Sequence, residues 1–218
     1  MATAAATTTA LKRKLGVLIF DELAIMDACG PLQFLNYLRD EIEVVMVSKT
    51  KGLKWTAPPE GGVPLHAPHD FETCPKLDIL LLPGGRGCRE LFYDPAHQEF
   101  ILRQAKTAEY LLTVCTGSGF LAASGLLDGK RATTNKVAFR EITKNYGTEY
   151  NIQWVPHARW VVDGNIWTSS GVTAGMDMTN AFLVHLFGAE RIQPIVELIE
   201  YTPATDPSQD PFSHLIKE

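Results

Sequence analysis

Tyr110-Leu-Leu-Thr-Val-Cys-Thr-Gly-Ser-Gly-Phe120 is the stretch on which the reading of this chain turns. Residues 110–114 form a short apolar run, as a strand needs when both of its faces are covered. Behind Cys115 the side chains become small at Gly117, Ser118 and Gly119, and the pattern predicts a helix over residues 117–127. A strand that stops on one reactive side chain and passes at once into a helix has the geometry of a nucleophile elbow. In that turn the side chain is lifted above the edge of the sheet. The pattern is incomplete, because Thr113 stands where the first glycine of an elbow belongs. At a helix N-terminus the Cys115 thiolate is expected to gain from the helix dipole, which lowers a thiol pKa. The competing reading is a structural cysteine, since most buried cysteines are small apolar residues.

Outward from this unit the same alternation repeats. Residues 15–20, 42–47 and 77–82 are further apolar runs that read as buried strands. Helices are predicted from Gly30-Pro31 through Leu38, from Asp94-Pro95 to about Thr107 with Asp94 as N-cap, and over residues 174–187 and 189–201. Shorter strands are expected near 131–134, 152–155, 158–162 and 166–169, and a hairpin or loop excursion over 51–69. Buried strands alternating with helices imply an α/β fold: a doubly wound, mostly parallel sheet flanked by helices, flavodoxin-like, in a single domain over residues 12–203. Residues 1–11 read as a disordered tail of Ala and Thr. Residues 204–218, polar and Pro-rich, read as a loosely ordered one.

Composition removes several functional classes. With 218 residues, 45% hydrophobic and 21% charged, the chain suits one sizeable core. A net charge of −5 gives no basic footprint for nucleic acid or anionic lipid. No run approaches the ~18 apolar residues of a membrane span, and the first residues lack the apolar stretch of a secretory signal. A cytoplasmic location is therefore expected. Cys29, Cys74, Cys88 and Cys115 stand far apart with no CxxC pair, which argues against a disulfide framework and a zinc site. With no ligand cluster and no phosphate loop, neither metal nor organic cofactor is implied.

In sheets of this kind ligands bind beyond the carboxyl ends of the strands. Ile25-Met-Asp27 reaches that edge after the first strand, and Pro83-Gly-Gly85 after the third. Asp27 has two readings, a cap for the following helix or a general acid/base within reach of the thiol. Gly84-Gly85 reads as a turn, or as a source of the Gly85 N–H, which with the Thr116 N–H faces charge developing on a substrate at Cys115. His157 and His185 are not placed to pair with Cys115, so a Cys-His dyad is unsupported.

Taken in order and spacing, these segments resemble the DJ-one/ThiJ/PfpI superfamily, within the class I glutamine amidotransferase-like fold. The resemblance is carried by Leu18-Ile-Phe20, Asp27-Ala-Cys-Gly-Pro31, Leu82-Pro-Gly-Gly85 and Val114-Cys-Thr-Gly-Ser118, and is extended by residues 122–134 and Gly171-Val-Thr-Ala-Gly-Met-Asp177. Within it, the chain is most similar to the isocyanide (isonitrile) hydratase branch, where an Asp in the position of Asp27 replaces the Glu of other branches. The resemblance implies addition of water to R–N≡C to give an N-substituted formamide, through a thioimidate on Cys115 with Asp27 as acid/base and Gly85 and Thr116 lining the site. It also implies a homodimer acting on a small electrophile. Asn135-Lys136 departs from the branch, which has His-Trp there. Two alternatives stay open: another small electrophile, such as a glyoxal or a secondary-metabolite intermediate, or a redox-sensing or chaperone-like protein in which Cys115 is oxidised.

Overall fold

The computed structural model of the protein describes residues 12–56 and 61–217. The tail expected over residues 1–11 lies outside the described residues. In chain order the elements are β1 (Arg13–Leu18), α1 (Ile25–Leu35), β2 (Ile42–Val47), β3 (Gly52–Trp55), β4 (Pro64–Ala67), β5 (Ile79–Leu82), α2 (Cys88–Leu91), α3 (Pro95–Ala105) and β6 (Tyr110–Thr113). A 3-10 turn at Cys115–Gly117 follows, then α4 (Ser118–Ala123), β7 (Arg131–Ala132), α5 (Phe139–Asn145), β8 (Gln153–Trp154), β9 (Trp160–Asp163), β10 (Ile166–Ser169), α6 (Thr173–Phe187) and α7 (Ala189–Leu198).

The apolar runs become β2, β1, β5 and β6, four neighbouring strands of a six-stranded sheet in the order β2-β1-β5-β6-β10-β9. Every pairing in it is parallel except β9 against β10. All four residues of β5 are buried, which is why this strand carries no polar alternation. Residues 51–69 do contain the expected hairpin, β3 against β4. Asp94 caps α3 by accepting the His97 N–H at 3.1 Å, as its position before Pro95 predicts.

Three expectations need correction. Helix α1 begins at Ile25, not after Pro31, so Pro31 lies inside it. A mid-helix proline removes one backbone bond, and here the burial of Ala28, Phe34 and Leu35 against the core offsets that loss. Helix α4 is only six residues long and gives way to turns around Gly125, which sits at φ 74°. The segment after Pro203 is fastened to the body. The Arg159 N–H donates to the Pro207 carbonyl at 2.8 Å, the Asp210 N–H donates to the His157 carbonyl at 2.9 Å, and Asp210 is buried. Its carboxylate lies 3.8 Å from both Lys136 Nζ and an Arg159 guanidinium nitrogen, two buried cations that hydrophobic periodicity does not reveal.

Candidate active site

Strand β6 ends at Thr113 and the chain turns on Cys115, whose φ of 60° is the left-handed conformation that non-glycine residues rarely adopt. Such a residue stores of order 1–3 kcal/mol and persists only where its surroundings over-determine it. Three bonds do so here. The Cys115 N–H donates to the Ser170 carbonyl at 3.1 Å, the Thr134 hydroxyl donates to the Cys115 carbonyl at 3.0 Å, and the Gly117 N–H donates to the Val114 carbonyl at 3.0 Å. The turn also lies close against the end of β5. A Cβ on Gly117 would stand 2.0 Å from the Leu82 carbonyl oxygen, so only glycine fits. The elbow forms without its first glycine.

Asp27 comes from the first turn of α1 and is fully buried. It does not cap that helix: the N-cap position is Ala24, with no side-chain bond. Instead Oδ2 accepts the Gly84 N–H at 3.1 Å, and Oδ1 is buried without a hydrogen-bond partner among the described residues. The Asp27 carboxyl and the Cys115 thiol are close enough for each to shift the other's titration. Asp27 and Cys115, 88 residues apart in sequence, are thus brought together at one strand edge.

The electrostatics reverse one expectation. The Cys115 thiol is pushed up to about 12, first by burial and then by the negative charge of Asp27, with the Thr116 N–H and the Asn135 side chain pulling the other way. Cys115 as a residue is only 7% exposed, and the six-residue helix behind it cannot offset that desolvation. Burial likewise raises the Asp27 carboxyl to about 7, against the Gly84 N–H and Cys115. Around neutral pH the sulfur is a thiol and its neighbour is a carboxyl poised to gain or lose a proton. The pair is one in which Asp27 can accept the thiol's proton as the sulfur attacks.

The expected lining residues differ in their roles. The Thr116 N–H faces the sulfur. The Gly85 N–H is taken by the Thr116 hydroxyl at 3.1 Å, and the Gly85 carbonyl accepts Cys88 Sγ at 2.9 Å and Arg89 Nη1 at 2.6 Å. Gly85 therefore braces the loop and has no N–H left over for a ligand. Its φ of 140° and the backbone of residues 22–24, 2.5 Å from where a Cβ would sit, require glycine there. Arg89 in turn is held by Glu141 through bonds of 2.8 and 3.0 Å.

Two contributors were not legible as site residues. Asn135 was marked in sequence only as a departure from a pattern. Its Oδ1 accepts the Ala138 N–H at 3.0 Å, and its amide nitrogen is thereby left to face Cys115. Cys88, read as a plain apolar residue, lies 3.3 Å from the Thr116 hydroxyl, and no spacing rule connects the two. His157 and His185 take no part; His185 lies against the Tyr110 hydroxyl at 3.2 Å. Among the described residues no group of three or more His, Cys, Asp or Glu is placed to hold a metal, and no helix is long and apolar enough to cross a membrane.

Comparison with known proteins places this geometry among relatives of mixed function. The chain is 36% identical to the isonitrile hydratase of Pseudomonas putida over 192 residues, 88% of this chain and 79% of that protein. It is 27% identical to the HTH-type transcriptional regulator GbdR of Pseudomonas aeruginosa over 82% of this chain but only 47% of the regulator. Among solved structures, a ThiJ/PfpI family protein from Pseudomonas syringae superposes with a TM-score of 0.79 at 26% identity, covering 94% of this chain and 84% of that one. Residues 13–185, from the first strand into α6 and so including the elbow and Asp27, match the DJ-1/PfpI family model. The chain belongs to the DJ-1/PfpI family.

Proposed function

We propose that this protein is an isocyanide hydratase, adding water to R–N≡C to give the N-substituted formamide. The observation that carries the reading is the buried Cys115–Asp27 pair, a thiol beside a carboxyl held near 7. Similarity to an isonitrile hydratase over most of both chains supports it.

In the first step Cys115 Sγ bonds to the isocyanide carbon, while the Asp27 carboxylate takes the thiol proton and passes it to that same carbon. The product is a thioimidate, R–N=CH–S–Cys115. In the second step Asp27 removes a proton from water, whose oxygen adds to the thioimidate carbon as the nitrogen is protonated. The carbon–sulfur bond then breaks, the sulfur recovers a proton through Asp27, and R–NH–CHO leaves. The Thr116 N–H and the Asn135 amide face the sulfur and stabilise charge on it in both steps. A homodimer, which the family resemblance implies, is the working form proposed here.

The same burial weighs against a redox sensor, because peroxide reacts with thiolate and this sulfur is held as a thiol. The test is mass spectrometry of the protein with a panel of isocyanides in H2-18O. Label is expected in the formamide, together with a transient adduct on the Cys115 peptide, and both should vanish in Cys115→Ala. Formamide release by Cys115→Ala at the wild-type rate would overturn the reading.

A further inference from the structure

Two of the bonds that hold Cys115 in its left-handed turn come from separate loops, and each loop is anchored on a buried cation. The Thr134 hydroxyl, which donates to the Cys115 carbonyl, lies in the loop from β7 to α5. Two residues on, Lys136 Nζ turns back on the same loop. It donates to the Thr133 hydroxyl at 2.8 Å and to the Thr134 carbonyl at 3.5 Å, and reaches the Ala158 carbonyl at 2.6 Å. The Ser170 carbonyl, which accepts the Cys115 N–H, lies in the loop from β10 to α6. Arg159 holds that loop at both ends. Its carbonyl accepts the Ser170 N–H at 2.8 Å, and its Nη2 donates to the Thr173 hydroxyl at 3.3 Å.

Asp210 faces both cations. Its Oδ2 lies 3.8 Å from Lys136 Nζ, and its Oδ1 lies 3.8 Å from Arg159 Nη1. Arg159 has a second carboxylate, Asp177, at 2.5 Å, whereas among the described residues Asp210 is the one carboxylate paired with Lys136. All four side chains are buried, so removing Asp210 would leave two cations with one carboxylate. Oδ2 has no hydrogen-bond partner among the described residues and acts on Lys136 as a charge across a gap. A buried ion pair gains little stability over apolar packing of the same volume; what it can do is fix one arrangement of the segments that carry it. Asp210 also stands beyond residue 185, where the match to the family model ends.

We infer that Asp210 is a positioning residue for the nucleophile: through Lys136 and Arg159 it holds together the two loops that fix the Cys115 backbone, and with it the aim of the sulfur. The role is carried by charge. An amide at position 210 would keep the bond from the Phe212 N–H to Oδ1 and lose the attraction for the two cations. The inference rests on the proposed hydration only for the turnover assay; the hold on Cys115 needs no particular substrate. A misplacement of about 1 Å at the reacting atoms can cost about a hundredfold in rate, and such a loss falls on kcat and not on KM.

The test compares wild type with Asp210→Asn and with the double variant Asp210→Asn/Lys136→Met. The control is Asp206→Asn, an exposed residue of the same segment whose carboxylate bonds within its own turn to Ser208. Isocyanide turnover at neutral pH gives kcat and KM. Amide hydrogen exchange read by mass spectrometry compares the peptide carrying the Cys115 N–H with that of β1. Asp210→Asn should lose about tenfold to a hundredfold in kcat with KM within about twofold of wild type, and its Cys115 amide should exchange about tenfold faster or more. The double variant removes both charges, so its melting temperature and β1 protection should return towards wild type. Its kcat and Cys115 exchange should stay impaired, because the Lys136 clamp on Thr133 and Thr134 is gone. It also keeps the test in force if Asp210→Asn does not fold. The control should match wild type throughout. Recovery of kcat and Cys115 protection together with stability in the double variant would mean a merely structural role and overturn the inference. A Cys115 amide as protected in Asp210→Asn as in wild type would overturn it too. The expected exchange pattern without isocyanide turnover by wild type would remove the hydratase reading and leave the positioning role standing.

Discussion

Replacing Asp27 by Asn should make the protein more stable and much less active, and the stability gain should depend on pH in a defined way. Folding raises this carboxyl from 3.8 to about 7, chiefly by burial. The folded state therefore holds the proton more tightly than the unfolded one. Its contribution to stability is complete below pH 3.8, fades as pH rises through the window, and is gone above about 7, where a buried carboxylate stays without its proton. A shift of about three units at 1.36 kcal/mol each is of order 4 kcal/mol. Asn has the shape of the neutral acid, and its carbonyl oxygen can still accept the Gly84 N–H. At pH 8.5 the variant should melt higher by roughly 8–16 °C for a chain of this length. That difference should shrink steadily from pH 7 towards pH 4. Calorimetry across that range measures it, and the same preparation should lose about 10²–10⁴ in kcat because an amide cannot relay a proton. A melting difference that does not change with pH would refute the charge argument. Near-wild-type kcat would refute the acid/base role.

Because Asp27 must be ionised to take the thiol proton, kcat/KM of the wild type should rise with pH through about 7 and then level, and a stopped assay from pH 5 to 9 should show that limb missing in Asp27→Asn. Gly117→Ala should cost about 1–3 kcal/mol or more in urea unfolding, since its Cβ meets the Leu82 carbonyl oxygen at 2.0 Å and backbone must move. Asp210→Asn should cost about 3 kcal/mol at pH 6, where Lys136 is charged and loses its carboxylate. Lys136 is already held down to about 8 by burial, against the pull of Asp210, so its folded state sheds the proton before the unfolded chain does. The cost should shrink as pH rises past 8, read as converging urea midpoints at pH 9.5.

The sheet was legible because β1, β5 and β6 are apolar runs whose burial follows from composition alone. The start of α1 was not, because Gly30-Pro31 imitates a helix entry and only the packing of Ala28 and Phe34 against the core keeps the helix running through it. In the site, Cys115 and Asp27 could each be marked as a reactive group at a strand end. The contacts of Asn135 and Ser170 could not, since the loops from β7 to α5 and from β10 to α6 reach the elbow only after the sheet has closed. The thiol pKa shows most plainly why local reading stops there. Position at a helix start predicts a thiolate, whereas burial and a carboxyl 88 residues earlier in the chain hold the sulfur as a thiol. Those two influences act through space and carry no spacing signature. They also suit the proposed chemistry better than a preformed thiolate would. In the first step sulfur and hydrogen go to the same carbon, so the proton must be at hand when the sulfur attacks. A thiol lying beside Asp27 brings its proton to the site with the sulfur, and a free thiolate would have lost it to solvent.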